Sequence, residues 1–337
     1  MSLLGGAQGV GIDLGTANTV VCDTDGGVVF REPSVIAWRV DGAGAARVIG
    51  VGTVAEEMMG KAPKGIRVDR LQCKGVMTDV DITGQFLEVV LGGIAGRWRR
   101  RHRMSAVIAV PAGANPIERR GVVEAAARAG LRRTQLVPAP VAAAVGCGID
   151  PLRARAHLVV DAGAGSSQVV AFAGKGMLTY RRCPVAGDEM TSALSRYLRR
   201  RHRLIVGELT AERAKIAAFS ETGPALTVDG FDAGTGRART ATLAREDVFE
   251  AVQPVTEEIA TDLGRCLPDL PAGVVSDVMQ EGIVGVGGAM LVPELRSRLE
   301  ESVGLAMRTP EQPLTRVAEG AARCLTNPEF VAVHALR

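Results

Sequence analysis

Apolar positions along this chain alternate between a two-residue rhythm and a helical one. Short aliphatic runs bounded by Gly, Asp and Asn read as strands, and apolar residues three and four apart read as helices. Residues 10–13 and 19–22 are strands around a turn at 15–18, and Asp25-Gly26-Gly27 makes the next turn. A third strand is expected near 33–39. Helical spacing follows at 54–60 and at 82–94, where Phe86, Val89, Val90 and Ile94 share a face. Residues 106–110 form a buried strand ending at Pro111. Residues 116–129 are a helix, with Pro116 in the first turn and Gly130 just past the end. A short strand at 135–137 leads into an alanine-rich helix at 140–146.

The opening pattern then recurs. Residues 157–161 are an apolar strand ending in Asp161, 162–167 a small-residue turn, and 168–172 a second strand, with another at 177–181. Asp13 and Asp161 hold the same place in each copy. Such a repeat implies two similar α/β halves, each carrying a strand–turn–strand hairpin. Helices are expected at 189–198, at 210–219 with Thr210 as N-cap, at 245–267, at 293–300 and at 315–325. A hairpin falls at 221–242, and a strand at 282–286 precedes the turn Gly287-Gly288.

Composition narrows the classes. The 337 residues carry 40 basic and 37 acidic side chains, a net charge of +3 that does not mark a nucleic-acid binder. Six cysteines lack CxxC or zinc spacing and read as reduced thiols of a cytoplasmic protein. The N-terminal MSLLGGAQGVGIDLG has no basic region followed by a long apolar one, so a signal peptide is not expected. No apolar run approaches the ~18 residues of a membrane span.

The 41 glycines matter because some fall in the repeated turns. A strand ending in Asp followed by small residues exposes several backbone N–H groups in one arc, and such nests bind phosphate oxygens. Asp13, Gly15, Thr16, Ala17 and Asn18 form the first arc, and Asp161, Gly163, Ala164, Gly165 and Ser166 the second. The aspartates would repel phosphate and instead suit Mg²⁺ or its waters. One such loop could be an ordinary turn capped by its aspartate. Two copies in a duplicated frame, with a third glycine turn at 287–288, favour a polyphosphate clamp. Neither GxGxxG nor GxxxxGK[ST] is present.

These strings also resemble a known family. GIDLGTANT (11–19), REPSV (31–35), VVDAGAGSS (159–167), AGDEM (186–190), TAERAK (210–215) and GIVGVGG (282–288) are similar to the bacterial actin homologue MreB and its paralogues, over residues 9 to about 325. The resemblance implies an actin-like α/β ATPase fold: two duplicated domains, four subdomains, around a nucleotide cleft. Domain I would comprise 1–145 plus 305–337, with subdomain IB about 32–75. Domain II would comprise 146–304, with subdomain IIB about 188–245. It further implies that ATP with Mg²⁺ is bound by the two loops, that Glu212, Arg213 and Lys215 grip ribose and adenine, and that Gly287, Gly288, Ala289 and Met290 close the base pocket. Self-assembly into filaments, a peripheral place at the inner face of the cell membrane, and partnership with cell-wall synthesis proteins in setting cell shape are implied as well. A small-molecule kinase, or another ATPase of the actin, Hsp70 and sugar-kinase superfamily, is the alternative. A kinase needs a catalytic carboxylate beyond Asp13 and Asp161, and none is evident.

Three departures stand out. Where the family carries a glutamate pair that includes the residue orienting the attacking water, this chain has Pro138 and Ala139. A methyl group neither accepts a proton nor positions a water, so hydrolysis is expected to be slow or absent. Ala164 adds a methyl to the second phosphate loop, and Gly285 and Val286 replace the usual start of the third.

The run 97–103 sets Trp98 among Arg97, Arg99, Arg100 and Arg101. Tryptophan suits the lipid interface and arginines attract anionic headgroups. A membrane contact is favoured over a solvated face or a nucleic-acid patch, and the resemblance places a membrane-inserting loop here. The second run, 199–203, reads as cations at a helix C-terminus, where the dipole favours them.

Overall fold

The computed structural model describes residues 9–40, 46–95, 104–131, 133–174, 176–220 and 225–334. The basic run at 97–103 lies outside the described residues.

The first half opens with β1 (Gly9–Leu14), β2 (Asn18–Asp23) and β3 (Val28–Pro33), then β4 (Val35–Val40) and β5 (Ala46–Val51). A short helix α1 (Thr53–Glu56), β6 (Arg67–Arg70) and the hairpin β7 (Gln72–Cys73), β8 (Val76–Met77) follow. Next come α2 (Val80–Ala95), β9 (Ser105–Val110), α3 (Pro116–Arg128), β10 (Arg133–Pro138) and α4 (Ala139–Gly146). The expected strand at 33–39 is two strands. Ser34 separates β3, on the main sheet, from β4, which pairs with β5 and β6 in a small sheet of its own. Helix α3 starts where a capping box forms: Asn115 accepts from the N–H groups of Ile117 and Glu118, and Glu118 accepts from the Asn115 N–H.

The second half runs through β11 (His157–Ala162), β12 (Ser167–Ala173), β13 (Gly176–Cys183), α5 (Gly187–Arg201), β14 (Leu204–Ile205), α6 (Glu208–Ser220), β15 (Ala225–Asp232) and β16 (Ala238–Ala244). Then come α7 (Arg245–Gly264), α8 (Ala272–Glu281), β17 (Ile283–Val286), α9 (Pro293–Val303), β18 (Met307–Arg308), α10 (Arg316–Thr326) and α11 (Pro328–His334). Helix α6 begins at Glu208, so Thr210 lies inside it and is no N-cap.

The two main sheets have one topology. Their orders are β10-β9-β1-β2-β3 and β18-β17-β11-β12-β13. In each, the central strand is antiparallel to the strand after the turn and parallel to the one beyond. β18 pairs with β17, so the second sheet takes in a strand beyond residue 304.

Strand alternation fixes what each face meets. Val10, Ile12 and Leu14 of β1 pack with Phe86, Leu87 and Val122 of α2 and α3. Leu158, Val160 and Ala162 of β11 pack with α5, α7 and α9. Asp13 and Asp161 therefore lie on the opposite faces, towards the middle. There α4 and α10 are sandwiched between the sheets, an alanine-rich layer joined by Val107, Val159, Val170 and Val286. This layer is thin because it is built on glycine. A Cβ at Gly320 would overlap the Ala142 carbonyl, one at Gly146 the Arg316 carbonyl, and one at Gly11 the backbone of Ala322.

Candidate functional site

Both hairpin turns end a central strand at its carboxyl end, where crevices between α/β units collect ligands. They have one geometry: Gly15 N–H donates to the Asn18 carbonyl at 3.1 Å, and Gly163 N–H to the Ser166 carbonyl at 3.1 Å. The N–H groups of Thr16, Ala17, Ala164 and Gly165 go to no backbone carbonyl among the described residues. Each loop is braced from behind. Ser34 Oγ donates to the Gly15 carbonyl at 2.6 Å, and Gln72 Nε2 to the Leu14 carbonyl. Behind the second loop, the N–H groups of Gly187 and Asp188 donate to the carbonyls of Gly163 (3.2 Å) and Ala164 (2.8 Å).

The loops face each other across a cleft of about 540 Å³, the size of a small-molecule site. Asp13, Gly15, Thr16, Ala17 and Asn18 line it from one side, and Asp161, Gly163, Ala164, Gly165 and Ser166 from the other. At its closed end the halves touch: a Cβ at Gly165 would stand 2.7 Å from Gly75 N and closer still to Thr16 Oγ1. Gly75 N–H donates to Thr16 Oγ1 at 3.2 Å, and Arg182 reaches from β13 to the Lys74 carbonyl at 2.8 Å. Arg70 of β6 pairs with Glu208 of α6 at 2.8 Å across the same gap.

Burial, then the charge of Asp161, pushes the Asp13 carboxyl up to about 7. Burial pushes Asp161 up to about 6, while Gln168 Nε2, donating at 2.9 Å, acts in the opposite direction. Gln168 Oε1 in turn accepts the Ala112 N–H at 3.0 Å and so ties the second sheet to the first. Two desolvated carboxylates facing one cavity are a donor set that fits a hard divalent cation and resists being left bare.

Helix α6 and the turn after β17 line another part of the cleft. Glu212 and Lys215 line it; the Lys215 ammonium pairs with Glu212 at 2.7 Å and donates to the Gly187 carbonyl at 2.8 Å and Thr191 Oγ1 at 2.9 Å. Thr191 also bonds Glu212. Gly287, with φ +92°, Gly288 and Ala289 line the cleft. Two expected residues do not. Arg213 is exposed, because the helical step that turns Glu212 and Lys215 inward carries it outward. Met290 is buried in the second core beneath Gly285. Ala139 lines the cleft and Pro138 is buried at the end of β10; both side chains are apolar. Sequence reasoning missed Gln72, Gln168 and Thr191. The polar Gln168 within an otherwise apolar strand was the available signal.

Comparison with known proteins settles the family. The MreB/Mbl protein family profile matches residues 7–332. The chain belongs to the MreB/Mbl family. It is 33% identical over 332 residues to the cell shape-determining protein MreB of Escherichia coli K12, covering 96% of this chain and 94% of that one. It is 30% identical over 339 residues to Mbl of Bacillus cereus, covering 98% and 99%. The fold matches MreB5 of Spiroplasma citri bound to AMPPNP with a TM-score of 0.85 at 22% identity, covering 97% and 98%. The MamK double helical filament matches at 0.74 and 20% identity, covering 95% and 98%. The fold of this MreB/Mbl member is thus the actin-like one expected from its sequence.

Proposed function

We infer that this MreB/Mbl protein binds ATP with Mg²⁺ and assembles into filaments that lie on the inner face of the cell membrane and organise cell-wall synthesis and cell shape. The observation that carries the reading is the pair of identical hairpin loops, each with free backbone N–H groups and one aspartate, facing into a single cleft. Asp13 and Asp161 would hold Mg²⁺ through its waters, and the cation would neutralise phosphate charge there. Thr16, Ala17, Asn18, Ala164, Gly165 and Ser166 would cradle the phosphates. Glu212 and Lys215 would take the ribose and base against Gly287, Gly288 and Ala289.

Filament formation is supported by the family and by the fold's likeness to the MamK filament. The membrane reading rests on Trp98 and its neighbouring arginines in the sequence; among the described residues no helix is long and apolar enough to cross a bilayer. Slow hydrolysis rests on Ala139, whose methyl group lines the cleft where the family places a water-orienting carboxylate. Pelleting with Mg-ATP, alongside phosphate release, tests the filament and hydrolysis parts of the reading. Filaments with phosphate release far slower than from an ordinary family member are expected. A chain that stays monomeric at high concentration overturns the filament reading, and an ordinary release rate overturns the impaired-hydrolysis reading.

A further inference from the structure

A polyphosphate needs positive charge as well as N–H groups, and this cleft offers little. Its lining carries three carboxylates, Asp13, Asp161 and Glu212, against two cations among the described residues, Arg31 and Lys215. Lys215 is committed: buried, it serves the Gly187 carbonyl, Thr191 and Glu212, which uses its three donor protons. Arg31 is exposed, and its side chain makes no ion pair or hydrogen bond with any described residue.

The position of Arg31 is set by strand register. Arg31 pairs with Val20 across the antiparallel β2–β3 ladder, and cross-strand partners share a face. Its neighbour Phe30 points the other way, edge-on to Phe86 with ring centroids 6.3 Å apart. Arg31 therefore stands beside Val20, a cleft-lining residue just beyond the first phosphate loop. A guanidinium presents a planar fork of donors matched to phosphate oxygens, and it stays charged at any working pH.

We propose that Arg31 is the polyphosphate-recognising side-chain cation of this cleft, which adds to the N–H loops and Mg²⁺ a preference for a nucleoside triphosphate over the bare nucleoside. The assignment rests on the nucleotide reading above and deepens it. Lys215 ties α6 to the start of α5, and Arg31 supplies the unspent charge.

The test is titration of ATP and of adenosine, both with Mg²⁺, against the wild type, Arg31→Gln and Arg31→Lys at several salt concentrations. Arg31→Gln weakens ATP about ten-fold or more, the effect of losing one charge-assisted contact, and flattens the salt dependence. Adenosine binding stays as in the wild type, and Arg31→Lys recovers part of the ATP affinity. Melting temperatures of all three proteins agree, because the side chain is exposed and has no partner among the described residues. Unchanged ATP affinity, an equal loss for both ligands, or a loss of ATP affinity with unaltered salt dependence overturns the role of Arg31 and leaves the nucleotide reading standing. A wild type that binds neither ligand overturns both.

Discussion

Asp13 offers a direct test of how the cleft is charged. Its carboxyl is raised from 3.8 to about 7 by burial and by Asp161. A group that holds its proton more tightly in the folded chain stabilises the fold fully below the unfolded value, and that contribution is lost as pH rises through the folded one. The rise corresponds to on the order of 4 kcal/mol, more than half of it lost between about pH 5 and pH 8. Without divalent cation, the melting temperature should therefore fall across that range. Asp13→Asn keeps the shape and removes the charge. The variant should be more stable than the wild type at pH 8, should lose most of that advantage at pH 5, and should bind Mg-ATP poorly. Circular dichroism melts in EDTA at pH 5, 6, 7 and 8 measure this. Parallel curves for the two proteins would refute the reasoning, since the wild type must carry the extra slope.

Other expectations follow from contacts already described. Gly320→Ala puts a methyl group into the Ala142 carbonyl and should cost about 3 kcal/mol, whereas Gly93→Ala, in an open stretch of α2, should gain up to about 1 kcal/mol; urea unfolding of both separates crowding from helix propensity. Gln168→Leu strips the Ala112 N–H of its acceptor and Asp161 of its donor, and should lower stability by about 1–3 kcal/mol in the same assay. Arg70→Ala breaks an ion pair whose glutamate side is 59% exposed, so stability should change by less than about 1 kcal/mol. Release of a fluorescent ATP analogue, followed by stopped flow, should nonetheless accelerate in that variant; an unchanged rate would show that the pair does not hold the cleft shut.

The duplicated strands, the two hairpin turns that face the cleft and most helices were legible because their signals are local: alternation, small-residue turns, a proline at a helix start. What was missed depends on long-range contact. β5 and β6 are short and half-exposed, and only pairing with β4 makes them strands. Helix α8 sets Val274 and Val278 against the second core at helical spacing but leaves Val275 and Met279 exposed, so its short apolar pattern does not by itself mark a buried face. Arg213 came with the matched family motif, and the helical step that turns Glu212 and Lys215 inward leaves it exposed and outside the cleft lining. Gln168 reaches across to the first half and Gln72 braces the first loop, each bonding a backbone group more than fifty residues away, a relation no spacing records.

The glycine contacts between α4 and α10 have a mechanical consequence. With no side chains between them at Gly146 and Gly320, the helices cannot slide, because any axial shift drives backbone into backbone. Any relative movement of the halves is then expected as tilting about the crossing rather than sliding along it. A lever pivoted there turns a slight tilt into a wide displacement where Arg70 meets Glu208, so that distance should report the posture of the whole molecule.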